Sequence, residues 1–242
     1  MAELLFRDDP YARACATTVT AVDARGIRLA HTVFYPAGGG QPGDTGVLRL
    51  ADGSTVAIVD TQKGGDGADE VVHVPAADAP LPPPSAAVTA EIDWARRHRH
   101  MRFHTCLHLL CAAVPYPVTG GRIGADKSHL DFDLQGAAVE KEAIEAKLNA
   151  LIRGGHRVTP RWIADAELAA NPDLVRTMSV APPTGQGRVR LLEVADVDLQ
   201  ACGGTHVAST AEIGPVVVLK IRSEGKRNKR VTIGFAGEAT EG

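Results

Sequence analysis

Two short motifs nearly a hundred residues apart constrain this chain more than any other feature. The first, His104-Thr-Cys-Leu-His108, lies in a stretch from Asp93 to about Val114 that reads as a helix. Asp93 is its N-cap, and Phe103, Leu107, Leu110 and Val114 form an apolar stripe. Residues four apart lie one above the other on a helix, so both imidazoles can address one ion. The second motif, Cys202-Gly-Gly-Thr-His206, carries two glycines expected to turn the backbone tightly enough for Cys and His to face one centre. Together the motifs offer three imidazole nitrogens and one thiolate sulfur, a borderline-soft set that suits one Zn²⁺ per chain. Any fold that uses all four must bring the helix against the turn. The competing reading is unrelated core histidines and a turn: a lone HxxxH is weak, and Thr105 stands where an HExxH metalloprotease has its glutamate. His100, one turn before His104, competes for a ligand place.

Around these motifs the chain changes character once. Its first 75 or so residues read as short strands with turn punctuation. Ile27, Leu29 and Val33 alternate with Arg28, Ala30 and Thr32, and Asp52-Gly53 sits between two runs as a hairpin dipeptide. Closely spaced short strands of this kind predict a small β-barrel. Residues 75–85 then hold Pro75, Pro80, Pro82, Pro83 and Pro84, which lack a backbone donor. They predict an interdomain linker, with a stiff surface loop as the alternative. Beyond it, strands at 88–92, 130–134, 189–194, 216–221 and 231–235 interleave with helices at 93–114 and 138–153. In the second helix Ile144, Leu148, Leu151 and Ile152 share a face, and Gly154 stands at its end. The predicted fold class is α+β: residues 1–85 a β-barrel domain ending in the proline-rich linker, residues 86–242 an α+β domain.

The 242-residue chain has a net charge of −3, which excludes a globally basic nucleic-acid binder but leaves room for local basic faces. Two such faces exist. Arg96, Arg97, Arg99 and Arg102 precede the first motif; Lys220, Arg222, Lys226, Arg227, Lys229 and Arg230 follow the second. Both are candidate phosphate contacts, the alternative being solvated faces. Four cysteines do not make a disulfide framework, and Cys15, Cys106 and Cys111 read as small buried hydrophobes. His31, His73, His129 and His156 are expected to satisfy local hydrogen bonds. With no signal segment and no apolar run of about 18 residues, a soluble, cytoplasmic protein without membrane contact is expected.

The two motifs, read together, resemble the editing domain of alanyl-tRNA synthetase and its free-standing relatives, the AlaX proteins. The similarity extends through DWARRHRHMRFHTCLHLL, VTGGRIGADKSHLDFDL (118–134) and KIRSEGKRNKRVTIGF (220–235). Upstream, TVFYPAGGGQPGDTG (32–46), with Gly38, Gly39 and Gly40, resembles the glycine-rich motif of the barrel that precedes the editing domain. Barrel plus editing domain at this length is similar to the medium-sized class.

The resemblance implies trans-editing: hydrolysis of mischarged tRNA(Ala), chiefly Ser-tRNA(Ala) and also Gly-tRNA(Ala), by a zinc-dependent deacylase. Its metal ligands would be His104, His108, Cys202 and His206. Four protein ligands resemble a closed structural site. Either Cys202 or His206 must then loosen to admit water, or the ion anchors the substrate while the ribose hydroxyl assists. Where the larger synthetase carries a Gln in the loop after HxxxH, this sequence has Thr119. Its hydroxyl is a candidate reader of the serine side chain, a hydrogen bond that alanine cannot make; satisfying the turn before Gly120 is the alternative. Candidate RNA contacts are Arg96, Arg97, Arg102, Lys226, Arg227 and Arg230. Competing readings are editing of Ser-tRNA(Thr), a non-catalytic zinc-stapled RNA-binding module, and a metallohydrolase of small esters.

Overall fold

The computed structural model describes residues 2–65, 70–175, 187–225 and 227–238. It divides into two compact units, Met1–Arg99 and His100–Gly242. Its described residues are mostly β, with three α-helices.

The first unit contains β1 (Glu3–Leu4), β2 (Ala14–Asp23), β3 (Gly26–Leu29), β4 (His31–Thr32), β5 (Gly46–Leu50), β6 (Thr55–Lys63), β7 (Val71–Pro75) and β8 (Ala87–Ile92). β1 and β4 form a small parallel pair, and the other six close a barrel in the order β2-β3-β7-β6-β5-β8. Alternation explains the closure. Val56 and Ile58 on β6, and Val88, Ala90 and Ile92 on β8, point inward with Ile27, Leu29 and Leu48 to form one core. Each such side chain contributes about 1.5–3 kcal/mol by leaving water. The β5–β6 hairpin turns at Asp52-Gly53 as the dipeptide predicts: Gly53 has φ 85°, and the Asp52 carboxylate accepts from the Ser54 amide at 2.9 Å.

The proline-rich segment is not an interdomain linker. It joins β7 to β8, and β8 pairs with both β2 and β5. Without β8 the barrel would be open, so the expected division after residue 85 moves to between Arg99 and His100. The alternative, a stiff surface loop, describes residues 76–86.

Inside the barrel, His73 is fully buried. Its Nδ1–H donates to the Ile27 carbonyl at 3.0 Å, and its Nε2 accepts from the Thr32 hydroxyl at 2.8 Å. Burial pulls its pKa down to about 4, so the ring is neutral at physiological pH.

Helix α1 spans Trp94–Ala113, and the Asp93 carboxylate caps it by accepting from the Arg96 amide at 3.1 Å. The second unit adds β9 (Val118–Arg122), β10 (Ser128–Asp133), α2 (Lys141–Arg153), β11 (Val158–Ala164), α3 (Asp165–Ala170), β12 (Arg188–Val194), β13 (Asp198–Ala201), β14 (Val216–Ser223) and β15 (Asn228–Phe235). They form a four-stranded sheet ordered β14-β15-β10-β9 and a three-stranded sheet ordered β11-β12-β13. α2 buries Ile144, Leu148 and Ile152 of the expected face and leaves Leu151 only half-buried. It is tied to β14 by Asn149, which donates to the Val216 carbonyl and accepts from the Val216 amide. From Met101 onward α1 is buried well beyond the expected stripe: Met101, Cys106 and Leu109 are as enclosed as Phe103 and Leu110.

Candidate metal centre

α1 sets His104 and His108 one turn apart, with ring centroids 5.5 Å from each other. The segment after β13 brings in Cys202 and His206, and the His206 ring lies 4.2 Å from that of His104 and 4.9 Å from that of His108. One ligand atom from each of the four residues falls within 4.8 Å of every other. Cys202 Sγ lies 3.5 Å from His104 Nε2 and 3.2 Å from His206 Nε2. Tetrahedral zinc with ordinary bond lengths separates sulfur and nitrogen ligands by about 3.5 Å. The donor set therefore fits zinc in both chemistry and spacing. His100 lies outside this cluster.

The electrostatics favour the ligating forms of Cys202 and His206, while His108 must give up a proton to bind a metal. Burial opposes the Cys202 thiolate, but the imidazoles of His104 and His206 outweigh it and hold the thiol well below its usual pKa. Burial, reinforced by His104, keeps His206 well below the usual imidazole range. For His108 burial works against the charge, yet Asp198 and Cys202 overcome it and raise the pKa to about 9. His104, His108 and His206 are buried, and Cys202 is half-buried.

Three supporting residues were not foreseen from the sequence. Asp198 on β13 accepts from His108 Nδ1–H at 3.2 Å, which leaves Nε2 as the ligand atom. Gln200, two residues on, donates to the same carboxylate oxygen at 2.6 Å. Thr105 does the equivalent for His206. Its hydroxyl donates to the Met101 carbonyl at 2.9 Å and accepts from the Val207 amide and from His206 Nδ1–H, at 3.2 and 3.3 Å. The glycines of the second motif act differently from expectation. Neither Gly203 nor Gly204 adopts a positive φ, and a side chain at Gly203 would meet open space. The upstream glycines do need their type: Gly39 and Gly40 have φ 57° and 81° in a tight turn where Gly38 and Gln41 exchange backbone hydrogen bonds.

The remaining candidates separate. The Thr119 hydroxyl donates to the Asp131 carbonyl at 3.2 Å, and Thr119 lines an open pocket with Asp133, Glu224, Arg227 and Asn228; none of the metal ligands lines it. Arg97 cannot meet a phosphate. It is fully buried, forms a bidentate pair with the equally buried Asp44, and donates to the Pro10 and Val33 carbonyls. Arg96 reaches the Gly43 carbonyl at 3.2 Å. Arg102 donates to the Ile213 carbonyl and stacks over Phe235 at 3.8 Å, a clamp rather than a free cation. Arg227 and Arg230 pair with Asp133 and Asp131 from β10, and Arg227 stays exposed. Lys226 lies outside the described residues.

Residues 189–232, which run from β12 through the Cys202–His206 motif into β15, match the family described as the threonyl and alanyl tRNA synthetase second additional domain. That match takes in Cys202 and His206, two of the four residues of the centre. Over almost its whole length the chain is also similar to proteins named alanyl-tRNA editing protein AlaX-M. That of Methanosarcina acetivorans is 34% identical over 239 residues, covering 96% of this chain and 98% of that protein. That of Saccharolobus solfataricus is 32% identical over 237 residues, with the same coverage. The chain belongs to this AlaX-M family. It also matches the alanine–tRNA ligase of Metallosphaera sedula, at 36% identity over 227 residues but only 24% of that longer protein.

Proposed function

We propose that this protein is an aminoacyl-tRNA deacylase that hydrolyses mischarged tRNA(Ala), chiefly Ser-tRNA(Ala) and also Gly-tRNA(Ala), with one zinc ion per chain. The observation that carries this reading is the convergence of three imidazoles and one thiolate on a single point, in a chain of the AlaX-M family. When bound, zinc supplies Lewis-acid polarisation to an ester that is already activated. The protein's own contribution is orientation. Asp198 and Thr105 each accept a hydrogen bond from an Nδ1–H, so His108 and His206 present Nε2 as the ligand atom. Thr119 lines a pocket that it shares with none of the metal ligands, so it is not retained as the reader of the serine hydroxyl at the metal centre. The exposed Arg227 and its neighbour Arg230 are the remaining candidates for phosphate.

A deacylation panel tests this. Ser-, Gly- and Ala-tRNA(Ala) and Ser-tRNA(Thr) are incubated with zinc-loaded and with chelated protein. Release of serine from tRNA(Ala) should fall on chelation and return with zinc, while Ala-tRNA(Ala) stays intact. Tight RNA binding without deacylation of any species would leave a zinc-stapled RNA-binding module in its place. Preference for Ser-tRNA(Thr) would move the substrate to the threonyl branch.

A further inference from the structure

One edge of the three-stranded sheet carries a feature that the metal centre does not use. Among the described residues the exposed large hydrophobics are Val59, Leu81 and Trp162, and only Trp162 belongs to the second unit. Trp162 is 38% exposed on β11, which among the described strands pairs only with β12. The exposed Arg188, on β12, holds its guanidinium over one face of the indole ring, 4.4 Å from the centroid.

The register connects this pair to the centre. Trp162 lies opposite Arg190, and the Arg190 carbonyl accepts from the Cys202 amide at 3.1 Å. Trp162, Arg190 and Cys202 therefore form one row across the sheet, and residues directly opposite share a face. The adjacent rows, Pro160–Leu192–Gln200 and Val158–Val194–Asp198, bring Gln200 and Asp198 to that same face. Arg190 fixes the middle of the row: it is buried, and its Nη1 donates to the Cys202 and Gly204 carbonyls at 2.9 and 3.0 Å. Two strand spacings put the backbone of Trp162 about 10 Å from that of Cys202.

We propose that Trp162, with Arg188 beside it, is the stacking platform for the terminal adenine of the tRNA whose ester is cleaved at the metal centre. This rests on the hydrolase reading above. In an aminoacyl-tRNA the ester and the last base are separated by a single ribose, a span of the same order as two strand spacings. An exposed indole offers the flat apolar surface on which single-stranded bases stack, and the adjacent guanidinium complements the phosphate that precedes the last nucleoside. Every tRNA ends in the same adenosine, so the platform supplies binding without choosing among tRNAs, and selection of the amino acid stays at the metal pocket.

Two experiments on the zinc-loaded protein decide it. The sequence holds two tryptophans, Trp94 and Trp162, so Trp94→Phe leaves Trp162 as the sole reporter. The trinucleotide CCA should quench its emission, and the dinucleotide CC, which lacks the adenosine, should not. In deacylation of Ser-tRNA(Ala), Trp162→Ala should raise KM about 10-fold with kcat and zinc content unchanged, and Trp162→Phe should restore most of the loss. Equal quenching by CCA and CC, or a wild-type KM for Trp162→Ala, overturns the proposal while the hydrolase reading stands. If the wild-type protein cleaves no acyl-tRNA, the hydrolase reading fails instead, and the trinucleotide titration still decides the platform.

Discussion

Arg97→Ala removes half of an ion pair that is sealed inside the first unit, with both partners fully buried. The guanidinium Nε lies 2.9 Å from Asp44 Oδ2, Nη1 lies 3.0 Å from the Pro10 carbonyl and Nη2 lies 2.6 Å from the Val33 carbonyl. The same Asp44 oxygen accepts from the Tyr35 amide at 2.6 Å. Truncation would strand a carboxylate and two carbonyls away from water. Breaking one side of a buried pair costs about 3–5 kcal/mol, a large share of the roughly 5–15 kcal/mol that stabilises a domain. With a urea m-value of about 2 kcal/mol/M, the unfolding midpoint of the barrel should fall by about 2 M. Asp44→Ala should cost a similar amount, and the double variant much less than the sum, because the second truncation removes the charge left unpaired by the first. Urea titration of the four proteins by circular dichroism measures this. Additive losses would refute the pair. A wild-type midpoint for Arg97→Ala with weakened tRNA binding would return Arg97 to the RNA-facing set.

Other perturbations separate the remaining roles. Asp198→Ala should lower zinc affinity about 10–100-fold in competition with a chelator, since it frees the His108 tautomer; unchanged affinity would remove Asp198 from that role. His73 should make the barrel acid-sensitive. Its pKa is about 4 when folded against an ordinary 6.5, so below pH 6.5 the unfolded chain takes up a proton that the folded one refuses. Stability is full above pH 6.5 and falls towards pH 4, by about 3 kcal/mol in total. Stability measured across that window should be flatter in His73→Gln, and an equal slope would place the effect elsewhere. Arg227→Ala with Arg230→Ala should leave zinc content intact, because exposed or partly exposed pairs contribute about 1 kcal/mol or less. It should raise KM for Ser-tRNA(Ala) and flatten its salt dependence; wild-type hydrolysis at moderate salt would mean that this face is merely solvated.

Much of the fold was legible where one rule acted alone. Asp52-Gly53 made its hairpin, with positive φ at Gly53 but not at Asp52; α2 shows a clean helical period and buries three of the four residues it named, Leu151 staying half-buried. The proline-rich segment misled because composition cannot tell a loop between strands of one barrel from a linker between domains. Only the pairing of β8 on both edges decides that. β11 escaped notice because Pro160 stands inside it. Proline is tolerated there because β11 is an edge strand whose far side needs no donor. The convergence of His104, His108, Cys202 and His206 was legible because the two motifs together, unlike either alone, form a metal-binding residue set. Their orienting partners, Asp198 and Thr105, were not, because a carboxylate or hydroxyl distant in sequence carries no spacing code.

Asp198 and Gln200 show most clearly what periodicity leaves out. Along β13 polar and apolar residues alternate, and a half-buried strand is ordinarily read with its polar side in water and its apolar side in the core. Here the order is inverted: Asp198 and Gln200 are buried and Leu199 is only half-buried. The inversion is stable because each buried polar group has a partner. Asp198 accepts from His108 and Gln200, and the next residue on that face is Cys202 itself. Arg97 follows the same logic in the first unit, a charged residue drawn inside because Asp44 awaits it. In both places the pattern of residue types was visible along the chain, but its meaning depended on a partner supplied by another element. The alternation on β13 would therefore collapse to its ordinary reading if His108 were removed: with no imidazole to donate to it, the Asp198 carboxylate would be a buried charge short of a partner, and that face of the strand would lose its reason to point inward.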